Sequence, residues 1–202
     1  MITCRLDMIE FGKKLALVVM LMAITGCAIE GAGSKKRGII READANVRID
    51  PEVQTSFDQG VSELKDSNYK AAAELFEKVV KRARLHTAPF INLGLSYEGL
   101  GEYEKAEESF LKAIDLNPGH LVANTELGLL YRKMGKFDLA RKAYETALET
   151  SPLYQPARKN LGILCDMYMG DVKCALSHFK KYLELSPDDE QVKIWVADLS
   201  NK

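Results

Sequence analysis

The chain has 202 residues, a formal net charge of −1 and 47% hydrophobic residues. This composition suits one folded domain, and a folded part of about 150 residues would bury roughly 70% of the surface that its unfolded chain exposes. The near-neutral charge, with no basic run beyond Lys35-Lys36-Arg37, argues against a nucleic-acid partner, because such proteins concentrate basic residues on one face.

The N-terminal segment has the pattern of a secretion signal. An apolar run covers residues 15–25, and two lysines precede it. The run is too short to span a membrane, which takes about 20 residues, but it has the usual length of a signal-peptide core. Because acidic residues interrupt the region before the core, Met8 is an alternative to Met1 as the start. We interpret residues 1–26 as a signal peptide.

The sequence Ile24-Thr25-Gly26-Cys27 follows the apolar core. It resembles the bacterial lipobox, and this resemblance implies that Cys27 becomes the first residue of the mature chain and carries acyl chains. Each buried methylene contributes about 0.8 kcal/mol, so several chains give a stable anchor. By resemblance to enteric lipoproteins, Ala28 at the next position favours the outer membrane, with the protein facing the periplasm. The alternative is an ordinary signal peptide with an incidental cysteine.

Residues 27–49 are predicted to be the lipidated cysteine followed by a flexible tether. The segment contains several glycines, a serine and a basic cluster, and it has no helical apolar stripe. A flexible chain of this length has a root-mean-square reach of about 25 Å.

A 34-residue repeat organises the rest of the chain. A glycine begins each unit's signature, an alanine follows it by 12 or 13 residues, and an aromatic residue lies four residues beyond the alanine. Small residues allow two antiparallel helices to approach closely, and the aromatic ring fills the space beside that contact. The residues are Gly60, Gly94, Gly128 and Gly162, then Ala72, Ala106, Ala140 and Ala175, and finally Phe76, Phe110, Tyr144 and Phe179.

This pattern resembles the tetratricopeptide repeat. The resemblance implies an all-α fold, a right-handed superhelical solenoid of four helical hairpins within residues 50–189. The predicted hairpins cover about 53–86, 87–120, 121–154 and 155–189, and the fourth has one extra residue in its turn. Residues 190–202 carry apolar side chains at helical spacing and are predicted to form a capping helix over the last hairpin.

The first helices of such a solenoid line its inner groove, where the resemblance implies that a protein or peptide client binds. A stripe of residues at equivalent repeat positions is the candidate surface. The alternative is that these residues complete the packing between helices. We call them the predicted groove: Phe57, Val61, Ile91, Leu95, Glu98, Thr125, Leu129, Arg132, Lys159 and Ile163.

Cys165 and Cys174 are the two cysteines that remain after Cys4 is lost with the signal and Cys27 is lipidated. In an oxidising compartment they could form a disulfide across the fourth hairpin. Spacing does not fix the directions of their side chains, so two buried thiols are an equal alternative.

Catalytic chemistry is not expected. The three histidines have no metal-ligand spacing relative to the cysteines or carboxylates, and no phosphate-binding loop or nucleophile elbow is present in the sequence. We therefore expect no metal, cofactor or small-molecule substrate.

The predicted function is that of an adaptor or assembly factor for a cell-envelope machine. The alternatives are a pilotin-like factor for a pilus or secretion secretin, and an accessory protein of a TonB-type uptake system.

Replacing Cys27 by serine is expected to abolish lipid attachment, because the hydroxyl of serine does not replace the thiol that is acylated. Mass spectrometry of the wild-type mature protein should show a chain that begins at Cys27 and carries acyl groups. A soluble wild-type product that begins at another residue would contradict the lipoprotein assignment.

Overall fold

The structure, a computed structural model, describes residues 50–201; the predicted signal peptide, Cys27 and the tether lie outside this range. The described residues form nine α-helices joined by short turns. In chain order they are α1 (Pro51–Lys65), α2 (Tyr69–Arg82), α3 (Thr87–Leu100), α4 (Tyr103–Leu116), α5 (Leu121–Lys133), α6 (Phe137–Thr150), α7 (Gln155–Met167), α8 (Val172–Leu183) and α9 (Glu190–Ser200).

The helices pair as four antiparallel hairpins, α1–α2, α3–α4, α5–α6 and α7–α8, and each hairpin packs on the next. The final helix, α9, packs on α8. The structure therefore confirms the predicted all-α solenoid of four tetratricopeptide-like hairpins with a C-terminal capping helix.

Each hairpin is closed by a contact between the first-helix glycine and the second-helix aromatic ring. A Cβ atom built on Gly94 would lie 2.6 Å from the ring of Phe110, and one built on Gly128 would lie 2.5 Å from the ring of Tyr144. Both rings are fully buried. Because real Cβ atoms are not found this close to a ring, the repeat requires glycine at this position. The other two hairpins make the same contact, with Gly60 against Phe76 and Gly162 against Phe179.

Local hydrogen bonds define the start of the array. The Asp50 Oδ1 atom accepts a hydrogen bond from the backbone N–H of Glu52 and caps α1, which satisfies a free donor of the first turn. The guanidinium of Arg82, at the end of α2, pairs with Asp50 Oδ2 at 2.6 Å and with Glu52 Oε2 at 2.8 Å. These ion pairs join the two ends of the first hairpin.

Tyrosines on first helices connect neighbouring hairpins. The Tyr97 hydroxyl donates a hydrogen bond to Glu77 at 2.6 Å, and the Tyr131 hydroxyl donates one to Glu107 at 2.9 Å. Burial, and then the hydrogen bond to Glu107, raises the pKa of Tyr131 to about 12. The phenol therefore remains a donor at neutral pH, and the link between hairpins is kept.

The glycine–ring contact gives a direct test of the repeat. Replacing Gly128 by leucine should force the third hairpin apart. Overpacking against Tyr144 is expected to lower the free energy of unfolding by about 1–3 kcal/mol or more. Thermal or urea unfolding followed by circular dichroism measures this loss. The matched control is Glu145→Leu, which adds the same side chain at an exposed position of α6 and should change stability by less than about 0.5 kcal/mol. Equal melting of the two variants would contradict this packing.

Candidate functional site

The predicted groove lies on α1, α3, α5 and α7, and each of these helices contacts the next one in the series. Its ten residues differ widely in exposure. Seven are buried, and Arg132, Lys159 and Ile163 are partly exposed. The buried residues are Phe57, Val61, Ile91, Leu95, Glu98, Thr125 and Leu129.

Val61 and Ile91 have no exposed surface at all, and both belong to the hydrophobic core. In this conformation a partner cannot touch their side chains, so the accessible surface is smaller than the sequence analysis predicts. The physical reason is that the stripe on the first helices also supplies the packing between neighbouring hairpins. Phe57, Leu95 and Leu129 keep 9%, 6% and 9% exposure, respectively, and are core residues in the same sense.

Two polar members of the predicted groove are engaged within the protein. Glu98 has a side chain that is 1% exposed, and its Oε1 atom lies 2.8 Å from Lys133 Nζ, which joins α3 to α5. The Thr125 hydroxyl donates a hydrogen bond to the carbonyl of Leu121 one turn earlier. Both groups therefore contribute to the internal structure of the array.

Lys159 holds the capping helix. Its Nζ atom lies 2.7 Å from Asp189 Oδ2 and sits over the rings of Tyr182, at 5.2 Å, and Trp195, at 5.7 Å. The carboxylate of Asp189 caps α9 by accepting from the N–H of Val192. A cation held by a carboxylate and two aromatic faces stabilises the contacts between α7, α8 and α9.

The partly exposed residues of the predicted groove lie on its last two helices, α5 and α7. Ile163 is partly exposed, and Met167, one turn further along α7, is 69% exposed. Tyr168 is 44% exposed, and the Arg132 guanidinium lies 5.7 Å from the centre of its ring. We call Arg132, Ile163, Met167 and Tyr168 the C-terminal patch. It combines apolar surface with one positive charge.

The sequence analysis did not place Met167 and Tyr168 in the predicted groove. The spacing of Ile163 and Met167, four residues apart on one helix, was a usable signal because such residues share a face. Tyr168 gave no such signal. It follows the end of α7 and packs against Phe137 of the preceding hairpin, with ring centres 5.1 Å apart.

A cleft adjoins the C-terminal patch. It has a volume of about 410 Å³ and lies between the turn of the third hairpin and that of the fourth. Phe137, Leu139, Tyr168 and Met169 supply apolar walls, and Lys136 and Asp138 supply charges of opposite sign. Tyr168 belongs to both surfaces, so a bound chain could extend from the patch into the cleft.

A disulfide joins Cys165 of α7 to Cys174 of α8, with their Cα atoms 5.8 Å apart. The sequence left this pair open between a bond and two thiols. The cross-link spans the turn that contains the extra residue of the fourth hairpin.

Two of the histidines, His120 and His178, have different surroundings. His120 caps α5 by accepting a hydrogen bond from the N–H of Ala123. Burial, and then the nearby charge of Arg158, lowers the pKa of His178 to about 4, so its imidazole is neutral.

Within residues 50–201 no three His, Cys, Asp or Glu side chains form a group that could hold a metal ion. In the same range no helix has the length and apolar character needed to cross a membrane.

The fold and its inner surface define a helical-repeat scaffold for protein interactions. Two family models, both for the tetratricopeptide repeat, match residues 85–152 and 125–190 and together cover more than half of the chain. The chain therefore contains tetratricopeptide repeats. No curated protein matches the sequence.

Solved structures of MamA are similar to the chain. One has 27% sequence identity and a TM-score of 0.62, and the alignment covers 69% of this chain and 81% of that chain. A second has 21% identity and a TM-score of 0.65, with coverage of 74% and 81%. MamA 41-end from Desulfovibrio magneticus RS-1 has 18% identity and a TM-score of 0.66, with coverage of 75% and 85%. The last two similarities concern the fold alone.

Replacing Lys159 by methionine should loosen the capping helix. Loss of the ion pair and the ring contacts is expected to cost about 1–2 kcal/mol, a modest value because the partners are partly exposed and solvent screens them. Trp195 is the single tryptophan of the chain, so its fluorescence reports directly on α9. The control Lys180→Met, which removes an exposed lysine of α8, should leave the fluorescence melting curve unchanged.

The same contact predicts a dependence on pH. The hydrogen bond from Lys159, followed by those from Tyr182 and Val192, lowers the pKa of Asp189 against the opposing effect of burial. The stabilisation is therefore fully present above the ordinary carboxyl value of about 4 and is lost as the pH falls through the lowered value. Trp195 fluorescence should change in acid, and in Lys159→Met this change should move to higher pH. An identical acid transition in both proteins would contradict the assignment.

Proposed function

We propose that this chain is an outer-membrane lipoprotein, anchored through Cys27, that holds a protein client for a cell-envelope machine. The observation that carries the proposal is the C-terminal patch. Whereas seven of the ten residues of the predicted groove are buried, the patch leaves large apolar side chains and an arginine open to contact. Exposed apolar surface of this kind, next to a charge, is typical of a protein-binding site.

The chemistry of the patch defines the segment that would fit it. Ile163, Met167 and the face of Tyr168 offer contact to apolar side chains, and the flexible thioether of Met167 adapts to different shapes. The guanidinium of Arg132 can pair with a carboxylate while it stays on the Tyr168 ring. We therefore propose a client segment that carries apolar residues next to an aspartate or glutamate.

The membrane part of the proposal rests on the lipobox-like sequence before Cys27. An anchor at this residue, followed by residues 28–49, would leave the repeats free to meet a client within about 25 Å of the anchoring point. The role of adaptor follows from this arrangement, because the anchor fixes the place and the repeats select the partner.

Site-specific photo-crosslinking in intact cells tests this function. A photoreactive residue at Ile163 should yield one dominant adduct with an envelope protein, identified by mass spectrometry. The matched control places the same residue at Lys112, an exposed position on the second helix α4, and should yield no such adduct. Arg132→Glu, introduced together with the Ile163 probe, should reduce the adduct at least about tenfold through charge repulsion.

Thermal melting of each variant shows whether the fold is retained. Ile163 and Arg132 are partly exposed, so these changes should leave the melting curve nearly unchanged. Equal adducts at Ile163 and Lys112, or an adduct that persists in Arg132→Glu, would contradict binding at the patch.

A further inference from the structure

The fourth hairpin departs from the others at the contact that joins neighbouring hairpins. In the third hairpin the Tyr131 hydroxyl donates a hydrogen bond to Glu107 of the preceding hairpin. The residues 34 positions further along are Cys165 and Arg141. A tyrosine–carboxylate pair is thus replaced by a sulfur atom next to a guanidinium.

The two sulfur atoms of the disulfide have different surroundings. Cys165 is fully buried, and its Sγ atom lies 3.8 Å from Arg141 Nη2. Cys174 is partly exposed and lies in the first turn of α8. The carboxylate of Asp171 lies near both groups, since its Oδ1 atom accepts from the Cys174 N–H and its Oδ2 atom is 3.6 Å from Arg141 Nη2.

We propose that this disulfide is a redox site that reacts in a fixed direction: a dithiol attacks Cys174, and Arg141 stabilises Cys165 as the leaving thiolate. Access decides which sulfur is attacked, because an attacking thiolate must reach the sulfur along the S–S axis, and Cys165 is enclosed. The positive charge beside Cys165 favours its thiolate, and a better-stabilised thiolate leaves faster.

The reaction balances in two steps. The first thiolate of the dithiol forms a bond to the Cys174 sulfur while the Cys165–Cys174 bond breaks, and its electron pair stays on Cys165. The second thiolate of the dithiol then attacks the dithiol's own sulfur atom in the mixed disulfide. The bond between that sulfur and Cys174 breaks, and Cys174 leaves as a thiolate. The dithiol is oxidised to a disulfide, and the two cysteines, reduced by two electrons, take up protons from water.

Release of Cys174 is favoured by its position on α8. The amide groups of a helix N-terminus stabilise a negative charge in the first turn, although the Asp171 carboxylate opposes this effect. Both reduced sulfurs therefore have a nearby positive charge or dipole. A protein dithiol of the kind that exchanges disulfides with its substrates is the class of partner that this site fits.

The test uses the full mature chain, purified in detergent with its disulfide formed. Reduction by excess dithiothreitol is stopped at intervals by alkylation, and mass spectrometry gives the rate. Arg141→Gln should slow the reduction about three- to tenfold, because the leaving thiolate loses its cation. Arg141→Lys should restore most of the rate. The control Lys142→Gln, which removes a charge from the adjacent exposed residue of α6, should leave the rate unchanged.

A second measurement determines which of the two cysteine sulfur atoms is attacked. Brief treatment with the monothiol glutathione, followed by acid quenching and peptide mapping, should find the mixed disulfide on Cys174. A mixed disulfide on Cys165, or reduction of Arg141→Gln at the wild-type rate or faster, would overturn the proposal. Because both measurements follow the sulfur atoms themselves, they are independent of whether the patch binds a client.

Discussion

The contact of a glycine with an aromatic ring determines how close the two helices of each hairpin can lie. At Gly162, for example, even a methyl group would come within 2.5 Å of the Phe179 ring. The ring thus takes the space that a side chain would fill on any other first helix. This spacing sets the positions of the turns, of the tyrosine links between hairpins and of the surface on which α9 docks. A solenoid of this kind is stable because each hairpin has a neighbour to cover it.

The sequence alone predicted this architecture because the contact demands specific residue types at fixed spacing. A glycine recurs every 34 positions, and an alanine and an aromatic residue follow each glycine at nearly constant spacing. The capping helix was predictable for a similar reason. Val192 and Leu199 lie seven residues apart on one helical face, and both are buried in the structure.

The accessible surface was harder to predict, because exposure depends on how neighbouring helices lie against one another. Ile91 and Ile163 belong to the same stripe on the first helices, yet Ile91 is fully buried and Ile163 is partly exposed. Lys159 shows a second limit. Its partners, Tyr182, Asp189 and Trp195, lie on later elements, and spacing along the sequence does not reveal that they converge. Tertiary packing also sets the directions of the Cys165 and Cys174 side chains. For this reason the sequence did not decide between a disulfide and two thiols.

The cross-link between Cys165 and Cys174 also limits how far the chain can be stretched. Nine residue steps separate the two cysteines, and their Cα atoms are 5.8 Å apart. Fully extended, those steps would span about 30 Å. A chain pulled from both ends would therefore be about 25 Å shorter at full extension with the bond intact. The contour length of the unfolded chain therefore depends on whether the Cys165–Cys174 disulfide is formed or reduced.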